Sequence, residues 1–287
     1  MLSEFAPAKI NLFLSIIKKR EDGYHDIGTM FHVLSFGDTL FGEQNSSGEI
    51  SLSYSSPQEY PVEKDLVCKA ALKLKEKYGV SKGVNFYLEK NLPLGAGLGG
   101  GSSDAAAALR LLNNLWGLNA TPEALEQIGS GLGADVAFFV KGGAATAEGI
   151  GEKLTQRRAM DSGACVVLVA TPHCSVPTAA AYSGVAAQGS ERWSRFVKNL
   201  NENELNPLEG SFDLYNQFEE TVLPAYPLIA SLKQKLNSTG GKSLLSGSGA
   251  SVFSLFASLS DAARAYNFVK ADCRFLRLSI SIFYSWP

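Results

Sequence analysis

Between Asn91 and Leu115 the chain reads NLPLGAGLGGGSSDAAAALRLLNNL, and this run limits what the chain can fold into more than any other. Five of the seven residues from Gly95 to Gly101 are glycine. A backbone of that kind turns tightly and can bring its N–H groups to a ligand with no Cβ in the way. Ser102, Ser103 and Asp104 follow, all residue types that cap helices, and then come Ala105 to Ala108, Leu109, Leu111 and Leu112. The pattern predicts a helix that starts where the loop ends. The orphan N–H groups of its first turn and the positive end of its dipole favour an anion, and serine hydroxyls can reach a phosphate oxygen or Mg²⁺. The stretch therefore reads as a phosphate cradle; a plain glycine-rich surface turn would not need the serines and the helix start.

Two common phosphate motifs do not fit. Gly95, Gly97 and Gly100 have dinucleotide spacing, but Pro93 interrupts the approach from the strand-like Val84 to Leu88. No acidic residue stands about 20 positions on, where Leu118 to Pro122 forms a turn instead. A Walker loop needs a lysine after its glycines; Gly241-Lys242-Ser243 has Leu236 where that motif requires its first glycine. The loop is of a third kind.

The rest of the chain sets the class of protein. At 287 residues it can build one large or two medium cores. A net charge of −2 gives no basic excess for nucleic acid, and three scattered histidines suggest no metal cluster. The longest apolar run, Ala164 to Ala170, is too short to span a bilayer, and the first residues carry no leader pattern, so a bacterial cytosol is expected. Cys68, Cys165, Cys174 and Cys273 lack C-x-x-C spacing and read as reduced packing residues.

From Phe5 to Ile17, Ile10, Leu12, Leu14 and Ile16 alternate with Asn11, Phe13 and Ser15, predicting a strand with one strongly buried face. Lys9 and Asn11 leave the same face, two residues apart; by itself Lys9 reads as an ion-pair partner or an edge residue. His32, inside an apolar strand, reads as structural. Further strands are expected at 50–54 and 84–88, and a helix over 65–78 with Asp65 as its N-cap and Gly79 as its stop. Thr121-Pro122 starts another helix. Asp135 lies among apolar residues, a costly place for a carboxylate unless it is paired or caps a turn. In the second half, 165–170 reads as a buried strand, 178–182 and 227–236 as helices, 244–253 as strand–turn–strand, and 274–283 as a last strand after a helix capped by Ser260. Residues 193–214 carry no clear pattern.

The segment from Pro93 to Ala106, P-x-G-A-G-L-G-G-G-S-S-D-A-A, resembles the central ATP-phosphate motif of the GHMP kinases, which include galactokinase and the homoserine and mevalonate kinases. Pro7 to Leu12 resembles the family's first motif and Leu244 to Phe253 its third. The resemblance implies an α+β, two-domain fold: residues 1–157 like ribosomal protein S5 domain 2, and residues 158–287 a ferredoxin-like GHMP domain. ATP is then expected on Pro93, Gly95, Ala96, Gly97, Leu98, Gly99, Gly100, Gly101, Ser102 and Ser103, with Leu66 walling the adenine. A valine at Gly99 is expected to abolish nucleotide binding. Mg²⁺ is implied as cofactor, with Ser103 as its side-chain ligand and Glu126 as a further carboxylate candidate.

Gly133-Ala134-Asp135-Val136 resembles the segment with the family's catalytic aspartate, although Ala137 stands where the family has proline. Lys9 and Asp135 are thereby implied to be catalytic, and Asn11 to face the acceptor, with Gly247, Ser248 and Gly249 shaping its side of the cleft. Arg20-x-Asp22-Gly23-Tyr24-His25 is similar to the branch whose acceptor is a cytidine-diphosphate-linked methylerythritol, phosphorylated on its 2-hydroxyl for non-mevalonate isoprenoid precursors. There Tyr24 and Tyr182 are implied to stack on the cytosine and His25 to read its edge. Asn216 to Glu219 resembles the family's N-x-F-E segment. The implied partners are small molecules, with no nucleic acid and no membrane, in a monomer or weak homodimer. A GHMP kinase for another alcohol, such as mevalonate or homoserine, is the alternative; a non-catalytic sensor on the same fold should have lost Lys9 or Asp135, and both are present.

Overall fold

The computed structural model describes residues 1–56, 61–158, 165–187, 189–202, 206–208 and 212–280. The alternating N-terminal run forms β1 (Leu2–Lys19), which turns at Arg20–Tyr24 and pairs antiparallel with β2 (His25–Asn45) along nearly its whole length. The chain continues through β3 (Ile50–Tyr54), α1 (Leu66–Tyr78) and β4 (Gly83–Glu89). Asp65 caps α1 as expected, its carboxylate accepting from the Val67 N–H at 2.8 Å, and Gly79 ends the helix in the left-handed region. Next come α2 (Gly100–Leu115), α3 (Pro122–Ser130), α4 (Ala134–Lys141), β5 (Ala144–Glu148) and β6 (Lys153–Arg157).

The second half contains β7 (Val166–Pro172), α5 (Thr178–Tyr182), α6 (Ser190–Glu202), β8 (Tyr215–Asn216), α7 (Glu219–Ala225), α8 (Pro227–Ser238), β9 (Lys242–Leu245), β10 (Val252–Phe256), α9 (Leu259–Val269) and β11 (Cys273–Ile280). A seven-stranded mixed sheet has the order β3-β4-β2-β1-β8, with β5 and β6 continuing from β2. The second sheet is antiparallel, β11-β7-β10-β9, and shares its core with α8 and α9. No helix among the described residues is long and apolar enough to cross a membrane. All four cysteines are free thiols.

Three features differ from the sequence reading. First, α2 begins at Gly100 with the left-handed Gly99 as its N-cap, so Ser102, Ser103 and Asp104 lie inside its first turns instead of capping it. Second, Ser258 and not Ser260 caps α9, its hydroxyl accepting from the Asp261 N–H at 3.1 Å. Third, β1 is buried on both faces: Phe13 is as enclosed as Ile10 and Leu12. The cause is the stretch after residue 190, which forms α6 and lays Phe196 on Phe13, ring centroids 4.1 Å apart, with Trp193 beside them. Trp193, Phe196, Val197 and Leu200 fall at i, i+3, i+4 and i+7 and pack on one core, so the sequence carries a helical stripe here that the reading overlooked. The last-strand expectation at 281–283 lies outside the described residues.

Candidate functional site

The glycine loop stands between the end of β4 and the start of α2, over β1, where the Lys9 N–H donates to the Leu98 carbonyl at 3.0 Å. A pocket of about 250 Å³ is lined by Leu66, Lys90, Pro93, Leu94 and every residue from Gly95 to Ser102. The ATP residues expected from sequence thus converge, Leu66 included. Ser103 lies one position deeper, fully enclosed, with its hydroxyl lacking a hydrogen-bond partner. The N-terminus of α2 opens toward this pocket without an acidic residue in its first turn, an arrangement that favours phosphate.

The glycines divide into two kinds. A Cβ at Gly97 would stand 2.0 Å from the Ser246 carbonyl oxygen, and one at Gly99 would meet the Phe139 ring at 2.8 Å and Lys9 Cγ at 3.1 Å. Those two give room to the protein itself. Gly95 and Gly101 face open space, so they, and not Gly99, are where a side chain would enter the pocket. A valine at Gly99 would also displace Phe139 and Lys9, so a loss of nucleotide binding there would not isolate the loop.

Beside the loop, Lys9 is 4% exposed and its ammonium lies 3.6 Å from Asp135 Oδ2. Burial lowers the Lys9 pKa, and the Asp135 charge and hydrogen bond oppose that shift. Asp135 sits in the first turn of α4, where the helix dipole also favours a carboxylate, and its side chain keeps 30% exposure toward the cleft. Lys9 donates to Asn11 Oδ1 at 2.6 Å, Asn11 Nδ2 donates to Thr29 Oγ1 at 2.8 Å, and that hydroxyl donates to the Phe13 carbonyl at 2.7 Å. Both ends of the Asn11 amide are thus engaged in fixing Lys9. Gly247 approaches from the β9–β10 turn: a Cβ there would be 3.4 Å from Lys9 Nζ. Ser248 Oγ lies 3.4 Å from Thr178 Oγ1.

A larger cleft, about 730 Å³, opens between the two halves of the chain and is lined by Gly23, Tyr24, His25, Gly133, Ala134 and Tyr182, among others. Tyr24 is 61% exposed there. His25 stacks on Tyr182 with ring centroids 4.8 Å apart and planes 24° off parallel, while Phe218 meets Tyr182 at 80°. Burial, with the Asp135 charge second, pushes the Tyr182 hydroxyl up to about 12. Ala134, beside Asp135, lines this cleft and the Asp135 charge acts on Tyr182, so the aromatic group lies next to the Lys9–Asp135 pair.

Sequence reasoning missed two groups. Lys90 lines the phosphate pocket and pairs with the buried carboxylates Asp38 and Asp104, at 2.7 Å for the latter. Burial alone would lower Lys90, but Asp104 and Asp38 together push it up to about 12; Asp104, wholly buried, is raised well above the usual carboxylate range. Asp38 also accepts from the Asn91 and Leu92 N–H groups at 2.5 and 2.8 Å, so it fixes the entry to the loop. The other is the role of Asn216, singled out in the sequence only as part of the N-x-F-E segment: its side chain holds the β9–β10 turn by two hydrogen bonds. Glu126 is occupied elsewhere, pairing with Lys141 at 3.2 Å beside Glu123, so it is no metal candidate for this site. His32 is structural as expected: it is buried, with Nδ1 2.6 Å from the Val33 carbonyl oxygen.

Residues 65–143 match the family described as GHMP kinases N terminal domain, and residues 185–274 match GHMP kinases C terminal. A 4-diphosphocytidyl-2-C-methyl-D-erythritol kinase of Exiguobacterium sibiricum is 40% identical over 271 residues, covering 93% of each chain. One from Thermodesulfovibrio yellowstonii is 38% identical over 274 residues, covering 93% of this chain and 94% of that one. The crystal structure of a 4-(cytidine 5'-diphospho)-2C-methyl-D-erythritol kinase superposes with a TM-score of 0.77 at 32% identity, covering 97% of this chain and 98% of the other. A homoserine kinase from Cytophaga hutchinsonii shares the fold, with a TM-score of 0.76 at 18% identity. A glycine loop at a helix start, a buried lysine facing an aspartate and these similarities together make the chain a small-molecule kinase: it belongs to the GHMP kinases, in the family of the 4-diphosphocytidyl-2-C-methyl-D-erythritol kinases.

Proposed function

We propose that the chain transfers the γ-phosphoryl group of ATP to the 2-hydroxyl of 4-diphosphocytidyl-2-C-methyl-D-erythritol. The observation that carries this reading is the adjoining of three parts: the phosphate pocket, the Lys9–Asp135 pair and an aromatic cleft holding Tyr24, His25 and Tyr182. Phosphoryl transfer asks a protein mainly for positioning and for stabilisation of charge. Asp135 orients the acceptor hydroxyl and takes its proton as that oxygen bonds to the γ-phosphorus and the bond to the β-phosphate bridge breaks, releasing ADP. Lys9 pairs with Asp135 and faces the charge on the transferring group. His25 covers one face of Tyr182 instead of standing at a base edge, so a planar pyrimidine would stack on the outer side of this aromatic group. Residues 1–157 and 158–287 act as two domains around this cleft.

Mg²⁺ fits the donor set in one way. No cluster of three or more acidic, histidine or cysteine residues suited to a metal occurs among the described residues, while Ser103 carries an orphaned hydroxyl and Ser102 lines the pocket. Such a site suits an ion that is carried mostly by phosphates and water, as Mg²⁺ commonly is. Bound with the nucleotide, it would neutralise charge on the phosphates, with Ser103 and Ser102 as its protein oxygens. The cytosol is the proposed compartment.

The test is ADP release by the purified chain with ATP and a panel of the cytidyl compound, mevalonate and homoserine. Turnover is expected with the cytidyl compound alone; preference for another alcohol would overturn the substrate. Asp135→Asn should keep ATP binding and lose turnover by about 10²- to 10⁴-fold, the range for a positioned general base. Near-normal kcat in the folded variant would remove Asp135 from the mechanism.

A further inference from the structure

The turn between β9 and β10 touches the glycine loop, Lys9 and Asn11, and its Ser248 reaches Thr178 of the aromatic cleft. Ser246 Oγ donates to the Gly97 carbonyl at 3.0 Å, the Ser251 N–H donates to the Ala96 carbonyl at 3.1 Å, and Gly247 lies against Lys9 and Asn11. Its position therefore bears on the Lys9–Asn11 face, while the glycine loop also keeps a bond of its own to Lys9 N. What holds the turn comes from elsewhere in the chain. Asn216, 1% exposed, donates from Nδ2 to the Leu245 carbonyl at 2.7 Å and to the Gly247 carbonyl at 2.8 Å, and its Oδ1 accepts from the Phe218 N–H at 3.0 Å. All three hydrogen-bonding positions face backbone, so the amide has one orientation. Each neighbouring residue adds a bond of the same kind: Glu219 Oε1 accepts from the Leu245 N–H at 2.9 Å, and Gln217 Oε1 accepts from the Ile16 N–H at 2.8 Å.

The backbone of this segment is itself anchored to the catalytic strand. Asn216 stands opposite Leu14 in the parallel β1–β8 pairing, and the Gln217 N–H donates to the Leu14 carbonyl at 2.9 Å. Lys9 and Asn11 are on that same strand. We infer that Asn216 is a positioning residue of the kinase reaction, a clasp that sets the distance between the Gly247 turn and the Lys9–Asn11 face of β1. It touches neither substrate. It acts through Gly247, where a Cβ would lie in ordinary contact with Lys9 Nζ at 3.4 Å and Asn11 Oδ1 at 3.5 Å, so a shift of the turn changes the packing directly beside the lysine.

The inference rests on the proposed reaction, so the parent enzyme is assayed in parallel. Asn216→Ala and Asn216→Asp are measured for kcat, both KM values, ATP affinity by calorimetry without acceptor, and melting temperature. A displacement of about 1 Å at a reacting centre costs on the order of 10²-fold. Well below its melting temperature, Asn216→Ala is therefore expected to lose about 10- to 100-fold in kcat while ATP affinity stays within about threefold, because the glycine loop keeps its own bond to Lys9 N. In Asn216→Asp an ionised carboxylate would face two carbonyl oxygens, and its protonation would restore one donor. Its kcat relative to the parent should thus rise as pH falls, a signature that a merely stabilising amide would not give. Parental kcat in either folded variant overturns the inference. So does a flat ratio against pH in Asn216→Asp, which also serves if the alanine variant does not fold. An inert parent overturns the proposed reaction instead.

Discussion

A lysine 4% exposed and 3.6 Å from one carboxylate is stable only because its charge is answered on several sides: Asp135, the Asn11 oxygen and the face of Phe31, 5.3 Å from its ammonium. Residues of this kind do their work through what surrounds them, and the same holds for the glycines. A Cβ at Gly101 meets nothing within 4 Å, and Gly101 lines the phosphate pocket, so Gly101→Val should fold normally and abolish detectable ATP binding by calorimetry while leaving the cytidyl substrate bound. Unchanged ATP affinity would place the cradle elsewhere. Tyr182 is the matching residue on the acceptor side. Base–aromatic stacking contributes ~1–3 kcal/mol, so Tyr182→Ala should raise KM for the cytidyl substrate about tenfold with a smaller change in KM for ATP. A comparable loss for both substrates would argue against a base-binding role.

At the scale of elements, β2 carries the clearest pH dependence. His32 sits opposite Ile10 of β1 on one side and Ala144 of β5 on the other, and this enclosure lowers its pKa from 6.5 to about 4, with the Val33 carbonyl opposing the shift. The folded pKa lies below the unfolded one, so the neutral ring's contribution is complete above pH ~6.5 and is lost as pH falls toward ~4, roughly 3 kcal/mol in all. His32→Gln should therefore show a flatter dependence of the urea midpoint between pH 7 and pH 4.5 than the parent. Equal slopes would assign the acid sensitivity to other groups. The β4–α2 connection shows the complementary case, where the buried Lys90, just after β4, joins Asp38 within β2 to Asp104 near the start of α2.

For the whole molecule the question is whether two domains behave as one. β8 belongs to the second half of the chain but completes the first sheet, α6 covers the outer face of β1, Ser279 Oγ accepts from the Ser35 N–H at 3.0 Å, and Ser246 reaches the glycine loop. With the two halves joined at this many buried places, neither half unfolds without exposing the other's core. Calorimetry should show one transition whose calorimetric and van't Hoff enthalpies agree, at the same temperature by near-ultraviolet dichroism. Two separated peaks would show that the halves are stable independently.

What the sequence determined alone was whatever depends on near neighbours along the chain. The glycine loop, the helix after it, the Asp65 cap and the strand–turn–strand at 244–253 all follow from spacings of one to four residues, and the structure has each of them. The Lys9–Asp135 pairing and the gathering of Tyr24, His25 and Tyr182 at one cleft were anticipated through likeness to a family, since nothing in local spacing joins residues so far apart; the direct stack of His25 on Tyr182 was not. Only the tertiary structure decided that Lys90 lines the pocket of the glycine loop, that a Cβ at Gly97 or Gly99 would meet the protein itself, and that Asn216 ties the β9–β10 turn to β1. Those facts depend on where separate segments cross. A polar side chain in a strand or loop looks the same in sequence whether it meets water or two buried carbonyls, and its partners exist only once distant backbone has been brought to it.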